Sequence, residues 1–184
     1  MRSLLLATLV AAAVPAMLGA QSGRVETKTL AETSAAMFRS PRDFVLRAAE
    51  KMPEEHYSFR PEPQVRTFGE LLGHIADGYV LVCAMATGDQ PPADVRQYEK
   101  KGASKAEMIK ILTETAAACD RAHDRLAGPQ GGELTKFAGG QRPRVTLLFF
   151  NSSHAWEHYG NLVTYMRLKG LVPPSSEPRK RASD

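Results

Sequence analysis

Cysteine and tryptophan are nearly absent from this chain, which has two of the former and one of the latter, and aromatic residues make up only 7% of it. Neither Cys83 nor Cys119 has a second cysteine at metal-site spacing, which argues against a thiolate metal site. No internal period of roughly 20 to 50 residues recurs, so solenoids and propellers are excluded. Strict apolar–polar alternation is missing too, apart from a weak stretch over residues 144–150, so strands are not expected. Basic residues are not interleaved with aromatics on any element. The net charge of +4 is modest, and part of it comes from Arg179, Lys180 and Arg181 near the end. No nucleic acid is therefore expected as a partner.

Long apolar runs are also scarce, and the clearest stands at the start. Arg2, the run 4–14, Pro15 and the small pair Gly19-Ala20 read as a secretory signal peptide over residues 1–20, cut after Ala20. The run is shorter than the roughly 20 residues that a spanning helix needs. Leu18 is larger than the residue usual three positions before a cut, which leaves the exact bond open. No cysteine follows it that could carry a lipid. The expectation is an exported bacterial protein, periplasmic or extracellular, with no stable membrane insertion after cleavage. Residues 21–174 are enough for one domain, and 175–184 read as a disordered basic tail. An oxidising compartment makes a Cys83–Cys119 disulfide open to the chain. Two buried free thiols fit the sequence equally well.

Between the ends, apolar residues recur at helical spacing in four stretches. The first covers 27–51 and is interrupted by Pro41, which fits either one long helix or a short one feeding a second. The second starts at Thr67, where Glu70 completes a capping box, and carries a stripe of Phe68, Leu71, Leu72, Ile75, Tyr79 and Val82 as far as Gly88. Its Gly69, Gly73 and Gly78 each cost a helix about 1 kcal/mol relative to alanine, so close approach of another element or a ligand is expected there. The third opens with a Ser104/Glu107 box and ends near Gly128. The fourth runs from about 143 to 169, with Gly170 as its stop and Pro173-Pro174 preventing continuation. Apolar residues on nearly every side mark it as central. All-α is the expected class, and a four-helix bundle the simplest architecture.

Chemistry concentrates in the histidines. His56 falls in the proline-rich loop 53–63, and His123 stands among Asp120, Arg121, Asp124 and Arg125, so both are expected at the surface. His154 and His158 are four apart and share one helix face, where two imidazoles can address one ion. His74, on the second helix, completes a set of three. Three neutral imidazoles suit zinc, nickel, copper or iron better than magnesium or calcium, and leave a coordination position free. Position 155 is alanine, so the sequence lacks the H-E-x-x-H of zincin proteases. Carboxylates or amides should orient the rings from behind. The candidates are Asp77, one turn after His74, with Asn151 and Asn161, each three residues from a ligand.

The segments Phe68-Gly69-Glu70-Leu71-Leu72-Gly73-His74-Ile75-Ala76-Asp77 and His154-Ala155-Trp156-Glu157-His158-Tyr159-Gly160-Asn161, with the loop from Met52 to Pro61, resemble the DinB/YfiT-like superfamily. The resemblance extends over about 27–174. It implies a four-helix bundle that holds a divalent metal, zinc or nickel, through His74, His154 and His158. It also implies metal-dependent chemistry of the hydrolase or transferase kind on a small-molecule substrate. Relatives in which the metal activates a low-molecular-weight thiol belong to this pattern. Export fits that thiol chemistry poorly, because such thiols are concentrated in the cytoplasm. The competing expectation is a non-catalytic metal-binding or stress-response bundle. A homodimer using the aromatics of the fourth helix is open, since the same residues would equally fill a monomer core.

Overall fold

The computed structural model describes residues 27–178. The signal peptide expected at 1–20 and the last six residues of the basic tail lie outside that range.

Four helices form as their stripes require: α1 (Thr27–Lys51), α2 (Phe68–Thr87), α3 (Lys105–Leu126) and α4 (Arg144–Leu168). Pro41 is accommodated inside a continuous α1. Thr67 and Glu70 make the reciprocal capping box at the start of α2. At α3 only half a box forms. The Ser104 hydroxyl accepts from the Glu107 N–H, while the Glu107 carboxylate pairs with Lys101 at 2.6 Å instead. After α4, Gly170 takes a φ of 73°, and the Leu171 N–H reaches back to the Met166 carbonyl at 2.9 Å. Only a residue without Cβ adopts that left-handed turn freely, which is why the helix ends there.

The helices pack in a ring in the order α1, α4, α2, α3, so α1 lies diagonal to α2 and α3 diagonal to α4. The core is continuous across all four and includes Phe38, Met52, Phe68, Leu72, Ile75, Met108, Leu126, Leu148, Leu162 and Met166. Fully burying one such side chain contributes about 1.5–3 kcal/mol. By length and a mean hydropathy of 1.2, α2 alone among the described helices is apolar enough to cross a membrane. The apolarity belongs to the core, because 11 of its residues, Phe68 to Ala86, are buried in the bundle.

Three expectations need correction, whereas the stretch at 144–150 forms the first two turns of α4, inside the range expected for the fourth helix. The glycine-rich segment before it holds an antiparallel hairpin, β1 (Leu134–Phe137) and β2 (Gly140–Pro143), with Leu134 opposite Pro143 and Phe137 opposite Gly140. His123 is only 3% exposed. It lies on the α3 face of Cys119 and Leu126, and its charged neighbours take the other face. The tail does not leave the bundle at 175. Pro174–Ser176 form a 3-10 turn, and Glu177 makes ion pairs with Arg47 and Lys51 of α1.

The adjacency of α2 and α3 brings Cys83 and Cys119 to a Cα separation of 5.4 Å, and the two are joined as a disulfide.

Candidate metal centre

Adjacency of α2 and α4 brings His74 against His154 and His158. The Nε2 atoms of His74 and His154 are 3.3 Å apart, and those of His154 and His158 3.1 Å. One ligand nitrogen from each of the three lies within 4.8 Å of the others, the one such cluster of histidines, cysteines or carboxylates among the described residues. Nitrogens bound at about 2.0–2.1 Å in tetrahedral geometry sit about 3.3 Å from one another, which matches this spacing.

The atoms behind the rings decide which nitrogens face inward. His74 Nδ1 lies 3.1 Å from Glu99 Oε2. Burial alone would raise the Glu99 carboxyl, but hydrogen bonds from Arg96, Arg66 and His74 outweigh it and hold the pKa at about 2. An ionised carboxylate only accepts, so the His74 proton is on Nδ1 and its Nε2 presents a lone pair to the cluster. Asn161 lies behind His158, with its amide Nδ2 3.4 Å from Nδ1. Turning that amide by half a rotation puts its oxygen there to accept the Nδ1 proton. His154 Nδ1 is buried with no partner.

All three imidazoles are biased toward the neutral form that binds metal. Burial is the main cause at each, and it takes His154 furthest, to about 4, with its two neighbouring imidazoles adding to the shift. At His74 burial is reinforced by the Arg66 charge and opposed by Glu99. At His158 burial is reinforced by His74. Bare lone pairs crowded together with little affinity for protons fit a divalent cation held at their centre.

The two central glycines of α2 make this arrangement sterically possible. A Cβ at Gly78 would lie 2.6 Å from Cε1 of His154 and 2.9 Å from its Nδ1. A Cβ at Gly73 would lie 2.4 Å from the Tyr98 carbonyl oxygen. Gly78 therefore makes room for the His154 ring, and Gly73 for the loop that carries Glu99.

Asp77 acts one step further back than expected. Its carboxylate accepts from the Tyr98 N–H at 3.1 Å and the Glu99 N–H at 2.9 Å. It thereby fixes the loop whose Glu99 grips His74, and does not itself bond the ring among the described contacts. Asn151 is not behind a ligand. Its side chain is fully buried, and its Nδ2 lies 3.4 Å from the sulfurs of both Cys83 and Cys119. About one turn before His154 on α4, it is taken up by the disulfide between α2 and α3 and not by a ligand ring.

His56 stands in the 3-10 turn Glu54–His56, away from the cluster. His123 is bonded through Nδ1 to the Cys119 carbonyl at 2.8 Å and lies 3.3 Å from the Ser34 hydroxyl through Nε2. That accounts for both of its nitrogens as core contacts.

Three residues were missed from sequence: Glu99, Arg66 and Arg96. Glu99 receives Arg66 Nε at 3.1 Å and Arg96 Nη2 at 2.5 Å on Oε1. The arginines stand at one side of a cleft of about 410 Å³ whose walls also include His74, His154, Val95 and Phe150. Phe150 stacks on His154 with ring centroids 6.2 Å apart, and the hairpin residue Phe137 packs edge-on against Phe150 at 5.0 Å.

No curated protein matches this sequence. Among solved structures, a DinB-like protein from Bacillus cereus superposes with a TM-score of 0.66 at 19% identity, over 78% of this chain and 95% of that one. A DinB-like protein from Bacillus subtilis does so with a TM-score of 0.52 at 21% identity, over 80% and 99%. The mycothiol-dependent maleylpyruvate isomerase gives 0.62 at 16% identity, over 72% of this chain. This chain spans only 60% of the isomerase's length. At these identities the likeness is one of fold. The DinB superfamily model matches residues 37–162, most of the bundle and all three clustered histidines, and the chain belongs to that superfamily.

Proposed function

We propose that this chain is a divalent-metal-dependent enzyme of the hydrolase or transferase kind, working outside the cytoplasm, with zinc or nickel held by His74, His154 and His158. The observation that carries this reading is the convergence of three Nε2 atoms, one of them with its lone pair fixed inward by Glu99. A bound ion of this type supplies Lewis acidity, lowering the pKa of water or a thiol toward neutrality. The chain's own contribution is positional. Glu99 and Asn161 set the ring orientations, Asp77 and Gly73 hold Glu99 in place, and Phe150 with the hairpin shields His154 on one side.

The Cys83–Cys119 disulfide supports the extracytoplasmic part of the reading, since such bonds persist in oxidising compartments. The thiol dependence in the name of the isomerase neighbour belongs to that protein. Here a reaction that draws on water, or on an acceptor present outside the cell, suits the compartment better.

The test is elemental analysis of protein purified without an affinity tag, beside a His154→Ala variant. About one equivalent of a transition metal in the wild type and none in the variant is the expected result. Equal, near-zero content in both would sink the reading. With metal present, a screen of hydrolase and transferase substrates should reveal a chelator-sensitive turnover. Its complete absence would leave a passive binder.

A further inference from the structure

The cleft beside the histidines has hydrogen-bond donors in excess of acceptors. Asp77 in its wall and Glu99 behind its arginines are both already hydrogen-bonded. Asp77 takes a backbone N–H on each oxygen. Glu99 takes Arg66 and Arg96 on Oε1, and Arg96 and His74 on Oε2. The arginines are not exhausted by these contacts. Arg66 commits only Nε, and both its terminal nitrogens have no partner among the described residues. Arg96 commits Nε and Nη2, which leaves Nη1. The side chains of Arg66 and Arg96 are 37% and 56% exposed, so a solute can reach them.

The remaining walls are apolar: Leu81, Val82, Val95 and Phe150 line the same cleft. Val95 and Phe150 are each 44% exposed. Arg66, Arg96, Glu99 and Asp77 sum to no net charge, and three neutral imidazoles do nothing to offset a divalent cation. The loaded cleft is therefore positive, donor-rich and greasy on one face.

We propose that the substrate is a carboxylate on an apolar body, its oxygens held by Arg66 and Arg96 and its hydrocarbon part laid against Val95, Leu81 and Phe150. The planar guanidinium fork matches a carboxylate in two parallel hydrogen bonds, which an amide or alcohol cannot reproduce. Glu99 fixes the two forks in place, so a single side chain positions both a histidine ligand and the anchors of the substrate. The assignment of substrate class rests on the metal-dependent reading above, but the arginine subsite itself does not need the ion.

The probe is benzoate, with benzamide as its neutral near-isostere, measured by calorimetry on the zinc-loaded protein, on chelator-treated protein and on a His154→Ala variant. Benzoate should bind at least about tenfold more tightly than benzamide, the size expected for one charge-assisted hydrogen-bond pair. Arg96→Gln should weaken benzoate by about tenfold with zinc content and thermal midpoint unchanged, and Arg96→Lys should restore part of the loss. Arg66→Gln, scored only if its midpoint is retained, should act in the same direction. Equal binding of benzamide, or benzoate affinity indifferent to Arg96→Gln, overturns the proposal. The metal reading fails separately. Benzoate binding that survives chelation and still depends on Arg96, in protein that takes up no metal, would support the subsite and refute the metal centre. Binding that vanishes with zinc and ignores Arg96 would do the reverse.

Discussion

The imidazole of His154 occupies space that exists only because residue 78 is glycine: a Cβ there would sit 2.6 Å from the ring's Cε1. The two residues lie on different helices, so the ligand position is set by packing between α2 and α4 as much as by helix spacing. Gly78→Ala should therefore separate binding from folding. Alanine favours the helix by about 1 kcal/mol, and the clash is with the end of a side chain that can rotate away. The expected outcome is a thermal midpoint within a few degrees of the wild type and metal affinity reduced by an order of magnitude or more. Competition with a chromophoric chelator measures the second. Affinity equal to the wild type would mean that His154 binds from some other position.

Glu99 offers a test of the ligand cluster from behind. Glu99→Gln keeps the shape but removes the charge that accepts from His74 Nδ1. Loss of such a partner typically costs about 10–100-fold in metal affinity. The same variant releases Arg66 and Arg96, so its zinc affinity should fall while the fold survives. An unchanged affinity would show that His74 needs no orienting carboxylate.

The helices and the His154–His158 pair were legible because each depends on local spacing, whereas His74 meets the pair only through the packing of α2 on α4. Thr67 with Glu70 and the stripe through Phe68, Leu72, Ile75 and Tyr79 announce α2, and the four-residue interval of His154 and His158 survives any choice of helix boundary. Glu99 was not legible, since it lies in the turns between α2 and α3, whose path depends on Asp77 and on the missing side chain at Gly73, both distant in sequence. His123 was misjudged for a different reason. Four charged neighbours suggested solvent, yet its own periodicity with Cys119 and Leu126 places it on the buried face. The hairpin was hidden because two strands of four residues, with glycines at the bend, offer too few alternating positions to register a period.

The disulfide links residues 36 apart in sequence, so cross-linking should stabilise the fold by about 3–4 kcal/mol through the entropy removed from the unfolded chain. Thiol titration of denatured, unreduced protein should find no free sulfhydryl. Reduction, or Cys83→Ala with Cys119→Ala, should lower the urea midpoint markedly, and the alanine pair would also leave the Asn151 amide without its two sulfur contacts. Two titratable thiols in protein recovered from an oxidising compartment would refute the bond.

Metal-free protein should lose stability in acid over a window set by its buried imidazoles. Burial lowers the pKa of His74, His123, His154 and His158 from the ordinary 6.5, that of His154 to about 4. The unfolded chain takes up protons near 6.5, while the folded chain refuses them until lower pH. Below 6.5 the unfolded state thus binds more protons, and stability must fall as pH drops. Above 6.5 both states are neutral at these positions, and they contribute no pH dependence. Urea unfolding of chelator-treated protein at pH 7.5, 6.0 and 5.0 should therefore give a midpoint that is lower at each step into acid. Saturating zinc should hold the midpoint higher at pH 6.0, because the ion binds only the folded cluster and competes with protons for its nitrogens. A His154→Gln variant removes the largest of the four shifts, and its metal-free midpoint should decline less steeply between pH 6.0 and 5.0. A slope identical to the wild type would show that His154 is already protonated or solvated in the folded chain.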